Sequence, residues 1–364
     1  MKLTVSKSAL LEGLQTVQNV VAVRTTLPIL VNVLMAAEKN KLSLTTTDLD
    51  LTIRCTVDAQ VAKTGATTLP VRRLFSIIRE LPEGDVDIAV DEKNVATVTS
   101  GSSFFKIIGL SHDEFPPTPK ADGKYSYHFD QGALKGMLAK TAYAASADET
   151  RFVLNGCLLS FKEGKLTVVA TDGRRLALVE QEIEFPKEAE TELILPTKTV
   201  NELLRILKDE GELKAYRKDN QIVFEFGGVL IASKLVEGTY PNYRQVIPAQ
   251  CEERVTVERE ALLTALRRVA LVTTDKSNAT KLTFGKNRLV ILMTTPDVGE
   301  ARETLPIKYT GKEISVAFNA EFMMDPLRAL SNDEIFVELT DDLSPGVIKS
   351  DIPFLYVIMP MRIS

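Results

Sequence analysis

One pattern is written three times along this 364-residue chain, and a repeat of that length constrains the fold more than any single motif. A strand leading into an amphipathic helix appears as LTVSKSALLEGL, YHFDQGALKGML and VTVEREALLTAL; Ala9, Ala133 and Ala261 are 124 and 128 residues apart. A tight turn entering a strand appears as KNKLSLTTTD, EGKLTVVATD and KNRLVILMTT, with Leu42, Leu166 and Leu289 spaced by 124 and 123. A strand end opening a second helix appears as LPVRRLFSII, LPTKTVNELL and FNAEFMMDPL, with Pro70, Pro196 and Asn319 spaced by 126 and 123. Three features sharing one period predict three domains of similar design, each of roughly 120 residues.

Each domain reads as two halves, strand–helix–three strands. In the first domain, Leu3–Val5, a helix over Ser8–Val17 and strands around LPILVNVLMAA, LSLTT and LTIRCTV form one half. The segment TTLP, a helix over Val71–Leu81 and strands VDIAV, VATVTS and FFKIIG form the other. Apolar residues follow the helical period at Leu10, Leu14 and Val17, at Leu74, Ile78 and Leu81, and at Val200, Leu203, Leu204 and Leu207. Strand segments alternate or are β-branched, and turn signals such as Glu163-Gly164 and Gly227-Gly228 separate them. The expected class is α+β, with helices on one side of antiparallel sheets.

Charge is segregated between these elements. Six helical windows, 8–17, 71–80, 131–143, 197–208, 259–271 and 319–330, hold twelve basic and six acidic residues, so they carry +6 in a chain whose net charge is −5. Everything else then carries −11. Lys and Arg favour exposed helix positions in any protein, which is the plain alternative. A shared helical wall is the reading that the repeat adds, and it would offer a phosphate backbone a positive surface despite the acidic total.

The remaining composition excludes several classes. Apolar residues make up 45% and charged residues 26%, ordinary values for globular domains that need no staples. Cys55, Cys157 and Cys251 lie far apart with no CxxC, so they are expected as buried reduced thiols. MKLTVSKSALL has no apolar run of signal-peptide length, and no stretch is long enough to span a bilayer; a cytoplasmic, nucleoid-associated protein with no membrane role is expected. His112 and His128 have no HExxH setting, and neither a phosphate-binding glycine loop nor GxSxG occurs. Asp48 and Asp50 in TDLDL are read as solvated carboxylates on one strand face rather than a metal site. No catalysis, metal or cofactor is expected.

Four ordered segments carry a family likeness: RTTLPIL (Arg24–Leu30), ATDGRRLA (Ala170–Ala177), SKLVEGTYPNYRQVIP (Ser233–Pro248) and YVIMPMR (Tyr356–Arg362). With them, the chain resembles the beta subunit of bacterial DNA polymerase III, the sliding clamp, from end to end. The resemblance implies a DNA-clamp fold of three domains, 1–122, 125–248 and 253–364, with helices lining a dimeric six-domain ring. Twelve helices spaced about 8–10 Å apart would enclose a hole roughly 20–28 Å across, of the order of a duplex. The implied function is processivity: the homodimer encircles double-stranded DNA and tethers polymerase III alpha subunit, other polymerases, the clamp loader and repair proteins.

The resemblance also implies sites. A pocket for a short linear motif would be lined by Leu154, Thr171, Gly173, Arg174, Arg175, Leu176, Pro241, Val246, Val357, Met359 and Met361, with Asn319 and Phe322 nearby. Methionines beside Val and Leu suit a cleft shared by many partners, and Arg175 would fix the peptide's polar atoms. DNA would meet Arg24, Arg72, Arg73, Arg79, Phe152, Lys198 and Arg205, with Glu12 and Val153 departing from the family pattern. The dimer seam would join Phe105 to Leu271 and Val272, and Gln245 stands where some relatives carry a second arginine. Two other readings stay open: a scaffold that never encircles DNA, and an enzyme assembled at the domain seams.

Overall fold

Alternating burial sets the layers before any topology is considered. Strand Asp85–Val90 buries Val86 and Ile88 and exposes Asp85, Asp87 and Ala89, the two-residue period of a half-covered sheet. The computed structural model describes residues 1–21, 25–123, 125–274, 278–296 and 298–362. Its longer helices are α1 (Lys7–Val17), α2 (Val71–Glu80), α3 (Gln131–Ala139), α4 (Thr197–Ile206), α5 (Arg259–Val269) and α6 (Ala320–Ala329). These match the expected helices to within a residue at α1 and α2. Two compact units result, Met1–Gly132 with Arg205–Leu235, and Ala133–Leu204 with Val236–Ser364.

The first unit holds two antiparallel sheets. One runs in the order Gln60–Lys63, Lys2–Ser6, Asp85–Val90, Val95–Ser100, Ser103–Ile108. The other has eight strands: Tyr125–Asp130, Glu212–Lys218, Gln221–Phe226, Val229–Lys234, Leu51–Asp58, Lys41–Thr47, Asn32–Glu38 and Gly65–Pro70. Helix α1 starts at Ser6, whose hydroxyl accepts from the Ala9 N–H at 3.3 Å, satisfying an otherwise orphaned donor. It buries Leu10, Leu14 and Val17 and packs against α2, which buries Val71, Leu74 and Ile78. Gly13 is required by closeness: a Cβ there would sit 2.8 Å from the Leu44 side chain and 3.2 Å from Val57.

The second unit is built alike. Its eight-stranded sheet runs Thr191–Pro196, Gly156–Lys162, Lys165–Thr171, Arg175–Glu182, Phe354–Ile358, Gly346–Lys349, Glu334–Leu339, Glu253–Glu258. A four-stranded sheet follows the order Gly299–Pro306, Arg288–Thr295, Ala279–Gly285, Ile314–Asn319, and α5 packs on α6. The repeated hairpin turns recur in conformation as well as sequence. Lys39 and Asn40 have φ of 51° and 58°, and Glu163 and Gly164 have 53° and 71°, the left-handed pair that matches strand twist.

Three features differ from the sequence expectation. The halves exchange opening strands: Lys2–Ser6 pairs with the second half's Asp85–Val90, while Gly65–Pro70 pairs with the first half's Asn32–Glu38. Sheets also run across the domain repeat, since Val229–Lys234 pairs with Leu51–Asp58 and Phe354–Ile358 with Arg175–Glu182. Asp48 and Asp50 lie in a turn rather than on a strand. Asp48 Oδ1 accepts from the N–H groups of Asp50 and Leu51 at 3.0 and 2.8 Å, and Asp50 pairs with Lys234 at 2.8 Å.

Cys55 and Cys157 are buried and Cys251 is half-buried, all as free thiols. Burial pushes the Cys157 thiol up to about 12, against a smaller opposing bond from Thr141. Thiolate is the reactive form, so Cys157 is expected to stay unlabelled by a thiol reagent at pH 8 in the native protein and to react on unfolding. Mass spectrometry of labelled peptides checks this.

Candidate peptide cleft, helix faces and sheet edges

The turn between strands Lys165–Thr171 and Arg175–Glu182 is fixed by its own side chains. Asp172 Oδ1 accepts from the N–H groups of Arg174 and Arg175 at 2.8 and 3.0 Å. Thr171 Oγ1 donates to the Arg175 carbonyl at 2.6 Å and accepts from the Gly173 N–H at 3.1 Å. Gly173 takes φ of 85°, a left-handed conformation that costs glycine least. Arg151, which the sequence did not single out, donates to the Asp172 carbonyl at 2.7 Å and to Asp148 Oδ2 at 3.2 Å.

Arg175 is the buried node behind this turn, with only 10% of its side chain exposed. Its Nε donates to Asp172 Oδ2 at 3.1 Å, one Nη bonds Asp325 of α6, and the other donates to the Tyr143 carbonyl at 2.5 Å. The guanidinium also lies 4.1 Å from the Phe322 ring centre. Burial alone would lower its pKa, but Tyr356, Asp325 and Asp172 together raise it above the ordinary value, so it stays charged. Its donors are committed to holding the turn against α6, because two half-buried carboxylates need them more than solvent does. Asn319 is likewise structural: its Oδ1 caps α6 by accepting from Glu321 and Phe322 N–H at 2.9 and 3.4 Å.

The strand that follows the turn carries part of an apolar cluster. Leu154, Leu176 and Val357 sit in one buried cluster with Leu158, Val169, Ile194, Tyr240 and Tyr243. Leu176 and Val357 are directly opposite across the paired strands, which puts them on one face. Val246 and Met359 stand at 45% and 41% exposure, and Pro241 and Arg174 are exposed. Met359 is held by its N–H to the Arg174 carbonyl at 2.9 Å, and Met361 by its N–H to Ala317 at 2.8 Å. Met361 also lines a separate cavity of about 660 Å³ with Leu343, Pro360 and Arg362. The buried tyrosines were missed; the TYPNY run carried both, as apolar bodies with polar tips.

The residues expected at DNA fall into three groups. Arg24 lies outside the described residues. Arg72, Arg73 and Arg79 are exposed on the face of α2 opposite its buried stripe, with Arg79 3.0 Å from Glu80 and Arg72 3.2 Å from the Val21 carbonyl; Lys198 and Phe152 are exposed as well. Arg205 has a further job. It donates to the Gln15 and Thr16 carbonyls at 3.1 and 2.6 Å, clipping α4 to the C-terminal end of α1, where a cation complements the helix dipole. A cleft of about 600 Å³ beside the clip is lined by Glu12, Cys55, Arg205 and Lys208. Arg205→Ala is expected to destabilise this unit by about 1 kcal/mol, whereas Arg73→Ala is expected to be neutral; urea titration separates the two.

Two sheet edges carry exposed apolar residues. Strand Ser103–Ile108 ends the five-stranded sheet with Phe104 at 59% and Phe105 at 37% exposure. Strand Gly299–Pro306 ends the four-stranded sheet, and beside it the turn Ala270–Val272 leaves Leu271 82% exposed. Val272 is half-buried, its carbonyl accepting from Thr295 Oγ1 at 2.5 Å.

Models of the DNA polymerase III beta subunit match the chain in three consecutive pieces: the N-terminal domain over residues 1–119, the central domain over 128–242 and the C-terminal domain over 244–362. The chain belongs to the DNA polymerase III beta subunit family. It is 34% identical over 363 residues to the beta sliding clamp of Chlamydia muridarum, covering all of this chain and 99% of that one. The beta sliding clamp of Synechococcus elongatus is 34% identical, with both chains fully covered. The crystal structure of the Pseudomonas aeruginosa beta subunit superposes with a TM-score of 0.94 at 32% identity, again covering both chains fully. The clamp from Bartonella birtlesii, solved bound to griselimycin, gives 0.95 at 34%. This beta-subunit family comprises processivity factors rather than enzymes, which closes the catalytic reading. Among the described residues no helix is long and apolar enough to cross a membrane, and no cluster of potential metal ligands occurs.

Proposed function

We propose that two copies of this chain close into a ring around duplex DNA, without sequence readout, and tether partners through the Leu154–Leu176–Val357 cleft. The pair of unmatched sheet edges carries this reading. The last strand of the second repeat, Val229–Lys234, joins Leu51–Asp58 of the first repeat; the last strand of the third, Phe354–Ile358, joins Arg175–Glu182 of the second. The strands left over in that scheme are Ser103–Ile108 and Gly299–Pro306, both at sheet edges. An exposed edge is a template for strand addition. Because each chain has one edge of each kind, contacts run head to tail, and two copies close with both of these edges paired. That favours the ring over an open scaffold.

The domains of this ring are 1–122, 125–248 and 253–364. Arg24, Arg72, Arg73, Arg79, Lys198 and Arg205 attract the duplex phosphates diffusely, which permits sliding, and Phe152 offers an apolar contact to the strand. The cleft takes short motifs from the replicative polymerase, other polymerases, the clamp loader and repair proteins; each binds weakly alone and gains from tethering. The protein works in the cytoplasm at the nucleoid. Sedimentation equilibrium tests the assembly: a dimer of twice the 40.2 kDa chain is expected, and a stable monomer at micromolar concentration would sink the reading.

A further inference from the structure

A cavity of about 530 Å³ lies beside the apolar cluster, walled by the strands Arg175–Glu182 and Phe354–Ile358 and by residues within 243–249 and 349–353. Register ties it to the cleft. Leu176 lies opposite Val357, and two residues along the same ladder Leu178 lies opposite Leu355, on the same face because strand side chains alternate. Leu178, Leu355 and Ile247 are half-buried and pack against the cluster that holds Leu154, Leu176 and Val357. The second pair stands about 7 Å beyond the first, the span of two residues of an extended peptide.

Polar groups give this cavity a preference that apolar surface alone would not. Tyr243 is 6% exposed, and its hydroxyl and the Ser350 Oγ, both on residues of the lining, are buried with no hydrogen-bond partner among the described residues. A buried hydroxyl left unpaired is costly, and each of these can donate to an acceptor that a ligand brings. Burial pushes the Tyr243 hydroxyl above its ordinary pKa, so it keeps its proton. Two charged groups of the lining are committed elsewhere: Lys349 bonds Glu338 at 2.7 Å, and Glu180 accepts from Thr167 at 3.3 Å and lies 3.9 Å from Lys165. Arg244 is exposed, its guanidinium 5.3 Å from the Tyr243 ring centre. Glu192, the carboxylate that feels Arg244, is held by Lys162 at 2.6 Å. Two donors without acceptors and one exposed cation around a single cavity suit a carboxylate, which only accepts.

We propose that this cavity seats the part of a docking peptide just outside its motif, taking an aliphatic side chain against Leu178, Leu355 and Ile247 and an acidic side chain against Arg244, Tyr243 and Ser350. The inference rests on the cleft reading above and deepens it. A basic flank would instead meet Arg244, cation on cation, and a purely apolar one would leave both hydroxyls unpaired.

Fluorescence anisotropy with the full-length protein tests this. The probes are a labelled, polymerase-derived motif peptide and the same peptide lengthened by Gly-Leu-Asp at its C-terminal end or by Asp-Leu-Gly at its N-terminal end, all with blocked termini. One lengthened peptide is expected to bind about tenfold tighter than the unlengthened one, and Asn in place of its Asp should forfeit most of that gain. Arg244→Gln and Ser350→Ala should each cut the gain to about threefold or less while leaving the unlengthened peptide's affinity unchanged. Ser350→Ala should not lower the melting temperature, since the hydroxyl it removes is unpaired in the free protein. No gain from either lengthened peptide, an equal gain with Asn, or a gain that survives both substitutions overturns the inference and leaves the cleft standing. If the unlengthened peptide itself fails to bind, the cleft reading falls and this inference falls with it.

Discussion

Arg175→Ala is expected to destabilise the unit that contains the cleft by about 2–3 kcal/mol, because Asp172 and Asp325 lose their shared guanidinium and keep only the backbone N–H groups of residues 174 and 175 and the Arg328 guanidinium. Asp172 and Asp325 have side chains only 15% and 17% exposed, and both lean on the guanidinium. Removing it also frees the Tyr143 carbonyl and uncovers the Phe322 ring. Calorimetry should show that unit's transition falling by on the order of 10 °C. Arg175→Lys retains the charge but cannot serve Asp172, Asp325 and Tyr143 from one planar fork, so an intermediate loss is expected. A near-neutral alanine variant would show that the network is idle.

Met359→Lys is expected to do the opposite: leave the fold alone and weaken docking. Met359 stands 41% exposed just beyond the strand that carries Val357, held in place by its backbone N–H to the Arg174 carbonyl. A lysine there keeps the backbone bond but puts a hydrated ammonium where an apolar anchor should seat. Binding of a polymerase-derived motif peptide, read by fluorescence anisotropy, should weaken about 30-fold, the scale of an interface hot spot. The melting temperature should stay within a degree or so. Weakened binding in Arg175→Ala with none in Met359→Lys would relocate the peptide away from this lip.

These two side chains mark the boundary of what was legible in the sequence. Helices α1 and α2 could be read almost to the residue, since Leu10, Leu14, Val17 and Leu74, Ile78 obey a local period. The exchange of opening strands could not, because alternation states which face is buried and not which strand lies alongside. Lys2–Ser6 alternates just as it would beside its own half, yet its partner Asp85–Val90 lies more than 80 residues away. The surroundings of Arg175 were hidden for the same reason. Its charge and its place beside Gly173 were visible, but Asp325, 150 residues on, was not. Arg205 read as one more cation on a helix until the Gln15 and Thr16 carbonyls came beside it. Leu154, Leu176 and Val357 came from the family resemblance rather than from pattern, and they share one buried cluster, whereas a buried polar network is defined only by its partners.

The most direct measurement is topological. Let the protein be loaded by a clamp loader onto a nicked circular duplex and be challenged with high salt, then let the circle be cut. Phosphate contacts alone are lost steeply as salt rises. A closed ring should remain on the intact circle through the salt challenge and leave once an end is made. Release by salt from circular and linear DNA alike, or retention on both, would contradict encirclement.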